Sequence, residues 1–299
     1  MFILSVMLPI FLVFLVGYIG QIFLKLNTAI ISKMAIYMLV PFLVFRTFYT
    51  NRIDSSFFYS IIFLLLLCFI SIIIISIFSK LANYSETQRC GLILSSAFMN
   101  NGNYGTPLIL FLFGKTGLQV AIVLMVLQQL IMSTLGVYYA AKGSSFNMKS
   151  VEAFRQVLYM PMIYGALLGI FFNYLHIPLG TLSKGIDFIA DSAIPVVMLS
   201  LGMKLANLTI KRVNWKSISF SVILRLLISP IIAFLIVSQF PIDDLTKKIM
   251  IIIAATPTAA NTTMYAIQFQ VEEDNVSAST LISTILSLIT IPLVIYVVL

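Results

Sequence analysis

Hydrophobic positions run along this chain in blocks of about 20 residues, the length a helix needs to cross about 30 Å of hydrocarbon. Short charged or turn-rich stretches separate the blocks. Dividing the chain there predicts ten membrane helices, near 3–24, 29–48, 56–78, 89–112, 117–140, 157–175, 183–204, 216–239, 247–269 and 276–298. Two blocks are interrupted. The fourth contains Met99-Asn100-Asn101-Gly102-Asn103-Tyr104-Gly105-Thr106-Pro107, and the ninth contains Ala255-Thr256-Pro257-Thr258-Ala259-Ala260-Asn261-Thr262-Thr263. Backbone that cannot complete a helix survives at membrane depth only where it lines a protein-buried or watery cavity. Paired interruptions of this kind point to a transporter's binding site.

The two halves share their punctuation. Pro9 and Gly17 recur as Pro161 and Gly169, Pro41 as Pro195, and Thr106-Pro107 as Thr256-Pro257, at offsets of 152, 154 and 150. Five spans per half is an odd number, so the second half enters the membrane from the opposite side. The expected organisation is a first five-helix repeat over 1–141, a short cytoplasmic connection over 142–156, and an inverted repeat over 157–299. The fold class follows: an all-α polytopic membrane protein in which broken helices 4 and 9 cross.

Composition agrees. Hydrophobic residues make up 61% of the 299 and charged ones 9%, against about 25% charged in soluble domains. The first block lacks a basic start and a small-residue cleavage site, so it reads as a retained helix. Cys68 and Cys90 stand apart and His176 is the only histidine, which argues against disulfide, metal and His-based catalytic chemistry. The net charge of +8 reads as loops facing anionic lipid, not as a nucleic-acid surface. Of the 18 Lys and Arg, eleven fall in odd-numbered connections and six in even-numbered ones. That bias places the odd connections in the cytoplasm and both termini outside a cell membrane.

Thr is a good N-cap and Pro suits the first helical turn. Thr106-Pro107 and Thr256-Pro257 are therefore expected to start second half-helices whose N–H groups and positive dipole ends seat a carboxylate. Around them, Gly102 and Gly105 let the chain bend, while Asn100, Asn101, Asn103, Asn261 and Thr262 supply polar groups. The second interruption has no glycine and is expected to kink more and unwind less. Asp191 and Arg225 fall well inside predicted spans, where charge is expensive and defaults to function. Asp191 is a candidate for a coupling proton and Arg225 for a substrate carboxylate, or the two pair with each other. Gln128, Gln129, Ser133 and Thr134 read as interhelical glue.

Asn100 to Pro107, with Phe113-Gly114 and Gly117-Leu118, resembles the Asn-x-Gly-x-x-Gly-x-Pro signature of the auxin efflux carrier family. Tyr37-Met38-Leu39-Val40-Pro41, Pro195 with Leu199-Ser200-Leu201-Gly202, and Ser283-Thr284-Ile285-Leu286-Ser287 with Ile291-Pro292 resemble its second, seventh and last helices. The resemblance implies a compact bacterial-type permease with the fold of bile acid symporters and sodium/proton antiporters. It also implies a homodimer and an organic-anion substrate, either a carboxylate or an auxin-like acid, moved by alternating access. No cofactor is expected beyond a coupled H⁺ or Na⁺. The alternatives are a channel, or a Na⁺-coupled symporter of a larger organic acid. No His-Glu-x-x-His, Gly-x-Gly-Asp or facing Ser/His pair suggests an enzyme.

Overall fold

A computed structural model describes residues 2–51, 55–144, 159–208 and 213–299, with side chains from Met7 onward. Most of the 142–156 connection lies outside the described residues, as do Arg52, Lys149, Arg155, Lys211 and Arg212 from the charge count. The described residues fold as helices and carry no strand, only one isolated bridge. We number them α1 (Phe2–Leu24), α2 (Thr28–Thr50), α3 (Ser55–Leu81), α4 (Glu86–Ser96) and α5 (Asn101–Gly143). Then follow α6 (Pro161–Tyr174), α7 (Leu182–Ala206), α8 (Trp215–Val237), α9 (Asp244–Ala254), α10 (Ala260–Phe269) and α11 (Glu273–Val298). Seven of these segments, α1, α2, α3, α5, α7, α8 and α11, are long and apolar enough to cross a membrane.

Several starts are capped by the residue types that the sequence places there. Asn27 accepts from the Ala29 N–H, Asp243 from Thr246, Asn214 from Lys216 and Ser217, and Ser85 with Gln88 forms a capping box. Each cap satisfies N–H groups that have no intrahelical acceptor.

α5 is 43 residues long, about twice what a bilayer needs at 1.5 Å per residue. It turns back at Gly114, whose φ of 63° and ψ of −154° lie outside the helical region and suit a residue without Cβ. The arms run antiparallel: a Cβ on Gly102 would lie 3.4 Å from Met125. The turn falls between predicted spans four and five.

Two helix seams are built on glycine. On α1, a Cβ on Gly17 would lie 2.2 Å from the Leu199 carbonyl oxygen of α7. On α6, a Cβ on Gly169 would lie 2.6 Å from the Phe45 oxygen of α2. Backbones this close are the usual use of small residues between membrane helices. Gly17 and Gly169 are the pair singled out by the repeat, and each meets the helix carrying the other half's matched proline, Pro195 or Pro41.

Candidate functional site

The two interrupted blocks meet. α4 ends at Ser96 and α9 at Ala254, and each is followed by a short non-helical stretch, 97–100 and 255–259. These stretches pass antiparallel, bridging at Met99 and Thr258. Asn100 N–H donates to the Pro257 oxygen at 2.8 Å, and Ala259 N–H to the Phe98 oxygen at 3.0 Å. Each break thus satisfies backbone groups of the other, which is what lets unwound chain persist at membrane depth. Neither non-helical stretch contains glycine; Gly102 and Gly105 lie in the π turn that follows the first, so the first departure from α-helix runs over 97–105 and the second over 255–259.

The helix starts differ from the sequence expectation. After the first break the chain resumes as a π turn at Asn101, and Thr106 and Pro107 already sit in helical backbone with no side-chain cap. In the second, Thr256 and Pro257 belong to the break itself, and the Thr256 hydroxyl donates back to Ile253 O at 2.7 Å. α10 starts only at Ala260. The two Thr-Pro pairs are therefore not equivalent in space. Propensity marks where a helix tolerates proline, whereas the crossing hydrogen bonds decide where it starts.

A cavity of about 60 Å³ lies against both resumed helices. Asn100, Asn101, Gly102 and Asn103 line it from one side, and Ala259, Ala260 and Asn261 from the other. Gln128 and Gln129 on the second arm of α5 close it, with Met99, Met125, Met132, Met162, Ile36, Val40 and Val197 forming an apolar wall. Asn101 and Gln128 are buried, 1% and 3% exposed. The side-chain oxygen and nitrogen of both, with Asn100 Nδ2, find no hydrogen-bond partner among the described residues. Burying such a group unpaired costs about 1–3 kcal/mol, and these five atoms belong to three residues that line one cavity. Asn261 Nδ2 donates to Gln129 Oε1 at 3.3 Å, tying the half-helix to the wall.

Five predicted site residues, Asn100, Asn101, Gly102, Asn103 and Asn261, come together here. Gly105, Thr106, Pro107, Thr256, Pro257 and Thr262 lie behind the crossing and do not line the cavity. Gly105 fits its backbone between Asn101 and Thr256, and Thr262 donates back to Ala259 O at 2.7 Å. Gln128 and Gln129 read as glue from sequence. Gln129 does bond Ser133 as well as Asn261, but Gln128 presents both polar atoms unpaired.

Asp191 and Arg225 do not pair with each other and neither lines the cavity. Asp191 and Asp187, one helical turn apart on α7, both pair with Arg46 of α2, at 2.7 and 3.3 Å, with exposed carboxylates. Arg225 is wholly buried in a π turn of α8. Its guanidinium donates to Ser96 O at 3.2 Å and also to Ala254 O and the Ser229 hydroxyl. Ser96 and Ala254 are the last residues of α4 and α9. The signal available in the sequence was the spacing Ser221, Arg225, Ser229, which sets three polar groups on one face. Ser221 donates to Ser95 O at 3.0 Å, next to Arg225's own acceptor.

A second cavity, of about 340 Å³, opens beside the even-numbered connections. Thr47, Asn51, Ser60, Thr116, Gln119 and Asp243 are among its lining residues. On α2 its Thr47 is separated from the first cavity's Val40 by the buried Leu43 and Val44.

The description "Membrane transport protein" belongs to the family whose profile matches residues 2–295. A Methanothermobacter thermautotrophicus protein described as "Uncharacterized transporter" is 27% identical over 96% of this chain and 95% of its own. A Methanocaldococcus jannaschii protein, "Uncharacterized transporter MJ1031", is 28% identical over 97% of this chain and 96% of its own. A Rhizobium meliloti protein described as "Putative malonate transporter" is 25% identical over 98% of this chain and 94% of its own.

Proposed function

The chain belongs to the membrane transport protein family, and from that premise we propose that it is a secondary transporter of small organic anions. The observation that carries this reading is the cavity between two resumed helices, lined by the amide side chains Asn100, Asn101, Asn103, Gln128, Gln129 and Asn261. The first turns of both helices face it with N–H groups that no helix can satisfy internally. Two such ends together present roughly one positive charge. No Lys or Arg lines the cavity, so an anion is recognised by dipoles and amides. Such contacts hold a carboxylate without the tight grip of an ion pair.

Size narrows the substrate. At about 60 Å³ the cavity is far smaller than the roughly 300–1,000 Å³ of pockets that take drug-sized ligands. That suits an acid of about two to four carbons better than an auxin-sized ring. A short dicarboxylate of the kind named for the Rhizobium relative fits this description. The methionine-rich wall takes the carbon chain.

The reciprocal glycine seams, α1 on α7 and α2 on α6, support two inverted repeats and a rigid body of four helices. The cavity sits where that body meets the crossing helices, as movement between the two requires for alternating access. The second cavity is the outer half of the route, with Leu43 and Val44 as the apolar plug, if the even-numbered connections and both termini face outward. A homodimer in the cell membrane completes the reading.

The test is transient current or isotope uptake by purified protein in liposomes, across mono- and dicarboxylates of one to six carbons. Saturable uptake confined to short acids is the expected result. Uncoupled, non-saturating current would establish a channel instead. Asn261→Ala is expected to raise KM about tenfold without abolishing flux, because it removes one neutral hydrogen-bonding group and frees Gln129 to replace it. Complete loss of flux from a folded Asn261→Ala protein would show that the group is indispensable.

A further inference from the structure

Arg225 carries an inference that deepens the anion-carrier reading and rests on it. Four half-helix ends meet at the crossing. The two N-terminal ends, at Asn101 and Ala260, face the cavity. The two C-terminal ends, at Ser96 and Ala254, converge on the Arg225 guanidinium. Each end is worth roughly half an elementary charge, positive at the N-terminus and negative at the C-terminus. Left alone, the four would sum to about zero and the crossing would attract no anion. Arginine stays protonated at any physiological pH, and this one forms no ion pair among the described residues. Its charge is spent on the two carbonyl ends.

The oxygens around it also define what the guanidinium replaces. Ser96 O and Ala254 O are backbone carbonyls at unwound helix ends, and the Ser229 hydroxyl stands beside them. Carbonyls and hydroxyls at broken-helix C-termini are the usual ligands of a coupling Na⁺ in carriers with crossed helices. We infer that Arg225 is a built-in cation: it occupies the seat a coupling Na⁺ would take, leaves the two N-terminal ends free for the anion, and makes transport independent of Na⁺ at the crossing. It is a positioning residue, since it does not line the cavity.

Two measurements test this. First, the melting temperature and anion KM of the wild-type protein are followed while NaCl replaces choline chloride at constant ionic strength. Neither should move. A saturable Na⁺-specific stabilisation, or a KM that falls with Na⁺, would overturn the inference, and this arm needs no variant to fold. Second, Arg225→Ala opens the seat and Arg225→Lys keeps its charge. In Arg225→Ala, transport efficiency should fall on the order of 30-fold or more, mainly through KM. Millimolar methylguanidinium or Na⁺ should recover part of both flux and melting temperature, and the lysine variant should fall between the two proteins. An alanine variant that folds and transports with unchanged KM would also overturn it. Failure of wild-type protein to move any carboxylate would count against the carrier reading, whereas a Na⁺ response counts against the built-in cation, so the two fail separately.

Discussion

Asn101→Ala is expected to abolish uptake while leaving the purified protein as stable as its parent or slightly more so. In most buried positions loss of an asparagine destabilises, because partners are left unpaired. Asn101 has no partner to orphan: its Oδ1 and Nδ2 are both buried without a hydrogen bond among the described residues. The fold already bears that desolvation cost, of about 1–3 kcal/mol. Alanine removes the cost and enlarges a cavity already present. The expected change in melting temperature is zero to about +4 °C, with the stabilisation by substrate lost. Flux and thermal unfolding measured on the same preparation decide the matter. Normal flux would take the crossing out of the mechanism. Loss of flux with a fall of several degrees would make Asn101 a packing residue instead. Gln128→Ala should behave the same way, since Gln128 shares the property.

That property was only half legible in the sequence. The polar run from Asn100 to Asn103 announced itself because amides and glycines are out of place at the centre of a hydrophobic block. Asn261 announced itself in the same way. Gln128 did not, because a polar patch of Gln128, Gln129, Ser133 and Thr134 on one helix reads equally well as glue between helices. Its role depends on the turn at Gly114, which lays the second arm of α5 against the first and brings position 128 to the cavity. Thr106-Pro107 and Thr256-Pro257 misled for a related reason. Helix starts here are set by hydrogen bonds between segments about 160 residues apart, from Asn100 to Pro257 and from Ala259 to Phe98, and local propensity carries no information about them.

The charges divide along the same line. An intramembrane arginine was visible, but not its acceptors, since two of the three are backbone oxygens on distant helices. Asp191 looked buried by position along its span, yet it pairs with Arg46 from an exposed face. Depth along a helix and depth within the protein are different coordinates, and sequence reports only the first.

Gly17→Val is expected to cost the protein its fold, and Gly20→Val, one turn further along α1, to cost almost nothing. A Cβ at Gly17 would lie 2.2 Å from Leu199 O and 3.0 Å from its Cα and carbonyl carbon, all backbone. No side chain can rotate aside to relieve this, so α1 and α7 must separate along their length. The partner side is equally tight, with a Cβ at Gly202 only 2.0 Å from Phe14 O. The loss should exceed about 4 kcal/mol, at the far end of the range for single substitutions. A Cβ at Gly20 would meet nothing within 4 Å, and valine suits a lipid-facing position. Detergent-solubilised yield and size-exclusion profile of the two variants make the comparison, with flux measured on whatever is monodisperse. A Gly17→Val protein that stays folded but loses flux would mean that this seam slides during transport. A carrier whose four-helix body is rigid requires the opposite outcome, because its crossing helices have to move against something that does not.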